Sequence, residues 1–226
     1  MKIYNTIFSI LNQLRYLIFE IILLQLKRIR KKNPEYNQDD KIDIILPTYN
    51  RAEMLKTRSV PSVLNQTYKN FRLIIIGDCC NDDTENIINS FDDDRIIFFN
   101  IKNRSKRYPE TVENHWFAGP VVAINTGLKM TNGDWIARID DDDIWEKTHL
   151  EDLMNFAISE KAEFVSSSYK TIVNETETLK DFSQEIPPIG GVQTWLYRSY
   201  LNFFKANINC WRKSVNKVND LDLQDR

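Results

Sequence analysis

Residues 135–145 read Trp-Ile-Ala-Arg-Ile-Asp-Asp-Asp-Asp-Ile-Trp, WIARIDDDDIW in one-letter form. An apolar segment of strand type runs into four consecutive carboxylates, Asp140–Asp143, and returns at once to Ile144 and Trp145. Adjacent anions repel and raise one another's pKa, so a positive partner is expected among them. Around this stretch, short apolar runs alternate with helical patterns, which is the punctuation of an α/β domain. Strands are predicted at Ile42–Pro47, Phe71–Asp78, Asp94–Ile101 and Asp134–Ile139, with Ala162–Val173 also extended. Helices are predicted over Arg51–Thr67, interrupted by Pro61, and over Thr84–Phe91, Val121–Met130 and Thr148–Glu160. Lys102–Pro120 reads as a long polar loop. Ligands of open α/β sheets collect at the carboxyl ends of the strands. Thr48-Tyr49-Asn50, Asp78 and Asp140–Asp143 all fall at such ends, whereas Asp92-Asp93-Asp94 precedes its strand and reads as a solvated turn.

The chain has 226 residues, 42% of them hydrophobic, which is enough for one large domain with an appendage. Its three cysteines form no CxxC pair and no disulfide framework, so a reducing compartment is the simpler reading. The formal net charge of -2 hides an asymmetry. Residues 1–32 hold seven Lys or Arg against one acid, Glu20, and the rest of the chain is correspondingly acidic. An acidic body excludes nucleic acid as the expected partner and singles out the N-terminus as a separate device.

That N-terminal segment, residues 3–26, has the length of a bilayer-crossing helix, but Asn12, Gln13, Arg15 and Glu20 interrupt its apolar run. A helix lying in the membrane interface fits better than a spanning one. The basic block Lys27–Lys32, KRIRKK, follows at once and suits anionic headgroups on the cytoplasmic side. The expected organisation is therefore a membrane-surface helix with its basic block (1–32), a polar linker (33–40) and a catalytic body (41–226). The expected location is cytoplasmic, peripheral to the inner face of the membrane. A helix that caps the body or pairs with another copy is the alternative.

Closely packed carboxylate oxygens are the ligands of a hard divalent cation, Mg²⁺ or Mn²⁺, which would relieve their repulsion. Magnesium shares its coordination sphere with substrate phosphates, so a phosphate-bearing substrate follows. The chain has neither GxxxxGK[ST] nor GxGxxG, so no usual backbone cradle for phosphates is present. If strand geometry persisted, Asp140 and Asp142 would point the same way and Asp141 the other.

Four ordered stretches now carry a resemblance: DIILPTYNR (Asp43–Arg51), SVLNQTYKNFRLIIIGD (Ser62–Asp78), INTGLKMTNGDWIARIDDDDIW (Ile124–Trp145) and NDLDLQDR (Asn219–Arg226). In order and spacing they resemble a family 2 glycosyltransferase of the GT-A fold. The resemblance implies a Rossmann-like mixed sheet flanked by helices. It also implies metal-dependent, inverting transfer of a sugar from a nucleoside-diphosphate donor, by preference UDP-linked, to a glycan or lipid-linked acceptor hydroxyl. Cell-surface polysaccharide, lipopolysaccharide or glycoprotein synthesis is the expected setting. Pro47, Thr48 and Tyr49 then lie against the nucleobase and ribose, and Asp78 bonds the base. The acidic signature maps onto Asp140, Asp141 and Asp142, with Asp140 near ribose or metal and Asp142 on the metal. Asp220 is the implied catalytic base.

The chain departs from the family pattern at Cys79-Cys80, at Ile124, where an arginine is usual, and at Asn219, where an acid is usual. With six residues after it, Asp220 is expected to be weakly held. Trp195 either stacks on an acceptor sugar or packs in the core. His115 and His149 are isolated and read as structural, as do Cys79 and Cys80, while Asp222 and Asp225 read as the solvated face of a helix. Two rival functions remain, a nucleotidyltransferase and a glycosyltransferase-like protein that binds nucleotide without turnover.

Overall fold

The computed structural model describes residues 2–30, 35–103, 107–184, 189–212 and 218–224, with the backbone alone for residues 2–6 and 9. Lys31 and Lys32 of the basic block and Asp225 lie outside the described residues.

The continuous apolar run Ile42–Thr48 is strand β1, buried at every position, as an internal parallel strand with both faces covered must be. It pairs in parallel with β2 (Phe71–Gly77), and β2 with β3 (Ile96–Asn100). On its other side β1 pairs in parallel with β4 (Trp135–Arg138). The sheet is completed by β8 (Trp195–Arg198), antiparallel to β4, and by β5 (Phe164–Ser166), in the order β3-β2-β1-β4-β8-β5. Chain order reverses between β1 and β4, which makes their carboxyl ends the switch point where a crevice opens. The predicted mixed sheet flanked by helices is thus present.

The interior of β1 holds one charge, Asp43, fully buried and bridged at 2.8 Å by both Nε and Nη2 of Arg72. The amides of Asn132 and Gly133 also donate to it. Burial alone would raise this carboxyl, yet Arg72 and the two amides outweigh it and hold it below the usual range. The turn before β4 is thereby tied to β1.

Helix α1 (Lys2–Arg30) precedes the sheet. The predicted helix around Pro61 forms as α2 (Ala52–Met54), a π turn (Leu55–Ser59) and α3 (Val60–Leu64). Proline has no N–H to donate and crowds the carbonyl four residues back, and the wider turn lets the helix pass this point unbroken. Helix α4 (Thr84–Asn89) follows β2. Within Lys102–Pro120, predicted as loop, lies α5 (Val112–Ala118), a correction whose cause is local. Thr111 caps the helix by accepting from the Asn114 amide, and Ala118 is buried with Phe117 packed beside it. Helix α6 (Val121–Met130) covers one sheet face and α7 (His149–Glu160) the other.

The predicted extended stretch Ala162–Val173 divides between two sheets. Its second half, β6 (Tyr169–Val173), forms an exposed hairpin with β7 (Thr176–Lys180). The connecting Asn174 and Glu175 both have positive φ, 47° and 63°, as a two-residue hairpin turn demands. Helix α8 (Asn219–Gln224) is the last element described.

Residues 35–40, predicted as polar linker, are bound along the body. Asp40 is buried, accepts from Arg198 Nη1 at 3.0 Å and from the Trp135 indole at 3.1 Å, and Arg198 lies over the rings of Tyr36 and Trp135.

Candidate active site

A cleft of about 370 Å³ opens at the carboxyl ends of β1 and β4. Pro47, Thr48, Tyr49, Asp78, Asp140, Asp141, Asp142 and Asp220 all line it, so four segments distant in sequence meet there. Such a volume suits a small-molecule ligand.

The positive partners expected among the aspartates are arginines of the chain itself. Strand β4 ends at Arg138, whose guanidinium turns back onto the cluster. Its Nε and Nη2 reach Asp140 Oδ1 at 3.1 and 2.9 Å, and Nη1 reaches Asp220 at 2.9 Å. Arg51, just after β1, places one Nη1 at 2.9 Å from both Asp141 and Asp142. Thr48 donates its hydroxyl to Asp141 at 2.8 Å. The alternation anticipated for Asp140–Asp142 is not met, because the strand stops two residues earlier and the Asp143 amide closes a turn onto Asp140 O.

These arginines do not cancel the negative charge. Burial raises the pKa of Asp140 against the pull of Arg138, and that of Asp141 against Thr48 and Arg51. Burial, with repulsion from Asp140 and Asp142, pushes Asp143 up to about 7. For Arg138 burial works against the charge, but Asp140 and Asp220 outweigh it and raise its pKa.

Among the described residues no three His, Cys, Asp or Glu side chains converge as a ready-made metal cluster. The chemistry of the donors nevertheless fits a hard cation: Asp140, Asp141 and Asp142 bring carboxylate oxygens to one cleft wall, and Asp142 is 50% exposed there.

Asp220, expected to be weakly held, is fixed by Arg138 at the first turn of α8. Asp222 is corrected from solvated to buried, with Asn207 Nδ2 3.5 Å away. Trp195 packs in the sheet, outside the cleft lining. Its indole donates to Gly190 O at 2.8 Å and its ring meets Phe164 edge-on at 5.0 Å. Asn125 binds both the amide and the carbonyl of Ala206, while the departing Ile124 is buried core. His149 stacks on Trp145 as a structural histidine.

Behind the cleft lining, Arg107 ion-pairs Asp78 at 2.6 Å. His115, expected to be an isolated structural histidine, stands in the cleft wall beside Trp116 of α5. Arg138 was open to detection, since a cation two residues before Asp140 is the nearest positive charge in sequence to the four carboxylates. Arg107 and Trp116 lay in the segment read as loop and carried no local signal, and His115 had no neighbouring ligand residue in sequence to mark it.

An α/β domain with a polar crevice at its switch point belongs to the class whose ligands collect at the carboxyl ends of the strands. The model of glycosyl transferase family 2 matches residues 43–218, and the chain belongs to that family. The Escherichia coli protein WfaP, a UDP-Glc:alpha-D-GlcNAc-diphosphoundecaprenol beta-1,3-glucosyltransferase, is 35% identical over 128 residues, 57% of this chain and 45% of that protein. The Staphylococcus aureus poly(ribitol-phosphate) beta-N-acetylglucosaminyltransferase TarP is 33% identical over 134 residues, 57% of this chain and 36% of that protein. The chain thus spans less than half the length of these relatives. Among solved structures, S. aureus TarS residues 1–349 with UDP aligns at TM-score 0.60 and 20% identity, covering 81% of this chain and 54% of that one, a likeness of fold.

Proposed function

We propose that the chain transfers a sugar from a nucleoside-diphosphate donor, by preference UDP-linked, to an acceptor hydroxyl with inversion, in the assembly of a lipid-linked cell-surface glycan. The observation that carries this reading is the convergence of Thr48, Asp78, Asp140–Asp142 and Asp220 on one cleft at the switch point. The relatives' names support it, since WfaP is named for a UDP-Glc donor and a diphosphoundecaprenol-linked acceptor.

Tyr49, 39% exposed in the cleft wall, offers a ring face to the nucleobase. Asp78, held by Arg107, accepts from the base, and Asp140 and Asp141 bind the ribose side. Asp140 and Asp142 would hold Mg²⁺ or Mn²⁺, which when bound supplies Lewis-acid stabilisation of the departing diphosphate. Arg51 and Arg138 stand in the same wall and contribute fixed positive charge near the phosphates. Asp220 takes the proton from the acceptor hydroxyl as that oxygen attacks the anomeric carbon and the carbon–diphosphate bond breaks. Direct attack without a protein nucleophile is a single displacement, which inverts the centre.

The test is titration of UDP with Mn²⁺ into the parent and Asp142→Ala, with a donor panel assayed for released nucleoside diphosphate. Asp142→Ala is expected to lose roughly tenfold or more in metal-dependent UDP affinity with the fold intact, Asp140→Ala losing less. Equal affinity in parent and Asp142→Ala would reject the metal assignment, and a parent that binds UDP yet releases none from any donor would favour binding without turnover.

A further inference from the structure

Helix α1 buries its one acid against the body and leaves a row of apolar residues exposed. Its less exposed stripe runs from Phe8 through Asn12, Tyr16 and Glu20 to Leu23, Leu24 and Lys27, so polar and apolar residues share it, and Glu20, the only acid of the helix, is 4% exposed. Arg212 lies 4.5 Å above the Phe8 ring, Asn209 bonds Asn12 at 3.5 Å, and Arg28 pairs with Glu163 at 3.8 Å, so the helix is laid along the body. The outward stripe is apolar: Ile7, Leu14, Ile18 and Ile21 are each 44–56% exposed and Leu11 is 61%. At 1.5 Å per residue the helix is about 43 Å long, yet no helix among the described residues is long and apolar enough to cross a membrane.

We infer that this outward face of α1 is a docking surface for an anionic lipid bilayer, with the helix lying in the plane of the interface. The charge on the exposed sides is basic: Arg15 flanks the stripe and Arg30 closes it, with Arg28, which pairs with Glu163, exposed beside them and Lys27 half-buried in the same last turn. Lysine and arginine at such flanks bury their stems and keep their heads among the phosphates. A second copy is a poorer occupant. Parallel pairing sets the Lys27–Arg30 clusters side by side, and antiparallel pairing about the helix centre sets Arg15 near its own copy, so like charges meet either way. The turn Ile208–Trp211 that neighbours the inward stripe also packs on α5, which carries Trp116 of the cleft wall, so one short segment joins the helix to the cleft. This inference goes beyond the transferase reading, and its readout is vesicle binding, which stands or falls independently of donor chemistry.

The experiment is flotation of the full chain with phosphatidylcholine vesicles, with and without phosphatidylglycerol, in low and high salt. The parent is expected to float roughly tenfold more on the anionic vesicles, with salt weakening attachment only in part because apolar burial is not screened. The triple variant Leu14→Gln, Ile18→Gln, Ile21→Gln, at exposed positions, is expected to lose at least about tenfold of that binding with its circular dichroism unchanged. Arg15→Gln with Arg30→Gln, both exposed, is expected to remove most of the preference for anionic vesicles, and it keeps the question answerable if the triple variant does not fold. Undiminished flotation of a folded triple variant, or a parent that ignores anionic vesicles, would overturn the inference. So would a parent that is a dimer in solution and becomes a monomer in the triple variant, since a second copy would then be the occupant.

Discussion

Asp220 is held by the guanidinium that also holds Asp140, so the proposed base and the acidic signature share one positive charge. If Asp220 is the base, Asp220→Asn keeps the shape, leaves UDP affinity near the parent's and lowers transfer by ~10²–10⁴-fold in a nucleotide-release assay. Unchanged transfer would move the search to Glu110 beside Arg107, or to Glu113 of α5. Asp222→Asn is not a surface control, because that carboxylate is buried beside Asn207. His149 supplies a pH dependence. Burial lowers its pKa from 6.5 to about 4, so between these values the unfolded chain binds a proton that the folded chain refuses. Stability therefore falls as pH drops through that window. His149→Phe, keeping a ring on Trp145, is expected to remove this loss and gain up to about 3 kcal/mol over the parent near pH 4 relative to pH 7, read from denaturant midpoints.

At the scale of elements, the strands of the parallel core were legible because both faces are buried and the runs are continuously apolar. Helix α5 was not: Val112 and Trp116 are exposed at 90% and 74%, so its sequence lacks a full apolar stripe and reads as polar loop. Strand β8 was not assigned because it is only four residues long and is recruited by pairing with β4 and β5 rather than by its own pattern. The seating of α6 on the sheet depends on Gly127. A Cβ there would meet Ile45 Cγ2 at 2.6 Å, a β-branched methyl with little room to turn. Gly127→Ala is expected to destabilise by about 1–3 kcal/mol despite its better helix propensity, measured as a lower urea midpoint at unchanged slope.

For the molecule as a whole, Arg198 binds the segment before β1 to the last strand of the sheet through Asp40, with both side chains under 10% exposed. Arg198→Met would leave a buried carboxylate without its cation, held by the Trp135 indole and the Asn37 amide alone, and is expected to cost about 3 kcal/mol, with Asp40→Asn restoring part of the loss in a double-mutant cycle. The sequence by itself determined the alternation of strands and helices, the acidic signature and its place at strand ends, since these depend on periodicity and residue type within one short window. It also disclosed the charged N-terminal device. Only the tertiary structure decided which charges meet. Arg51, Arg107 and Arg138 reach their carboxylates across 90, 29 and 82 residues, for Asp141, Asp78 and Asp220 respectively, and local pattern does not specify such pairings. The same holds for Trp195, whose indole finds Gly190 in the packed sheet, and for α1, whose Asn12 faces inward because the body supplies its partner there. A side chain's direction is set by what packs against it, and that neighbour is brought by the fold.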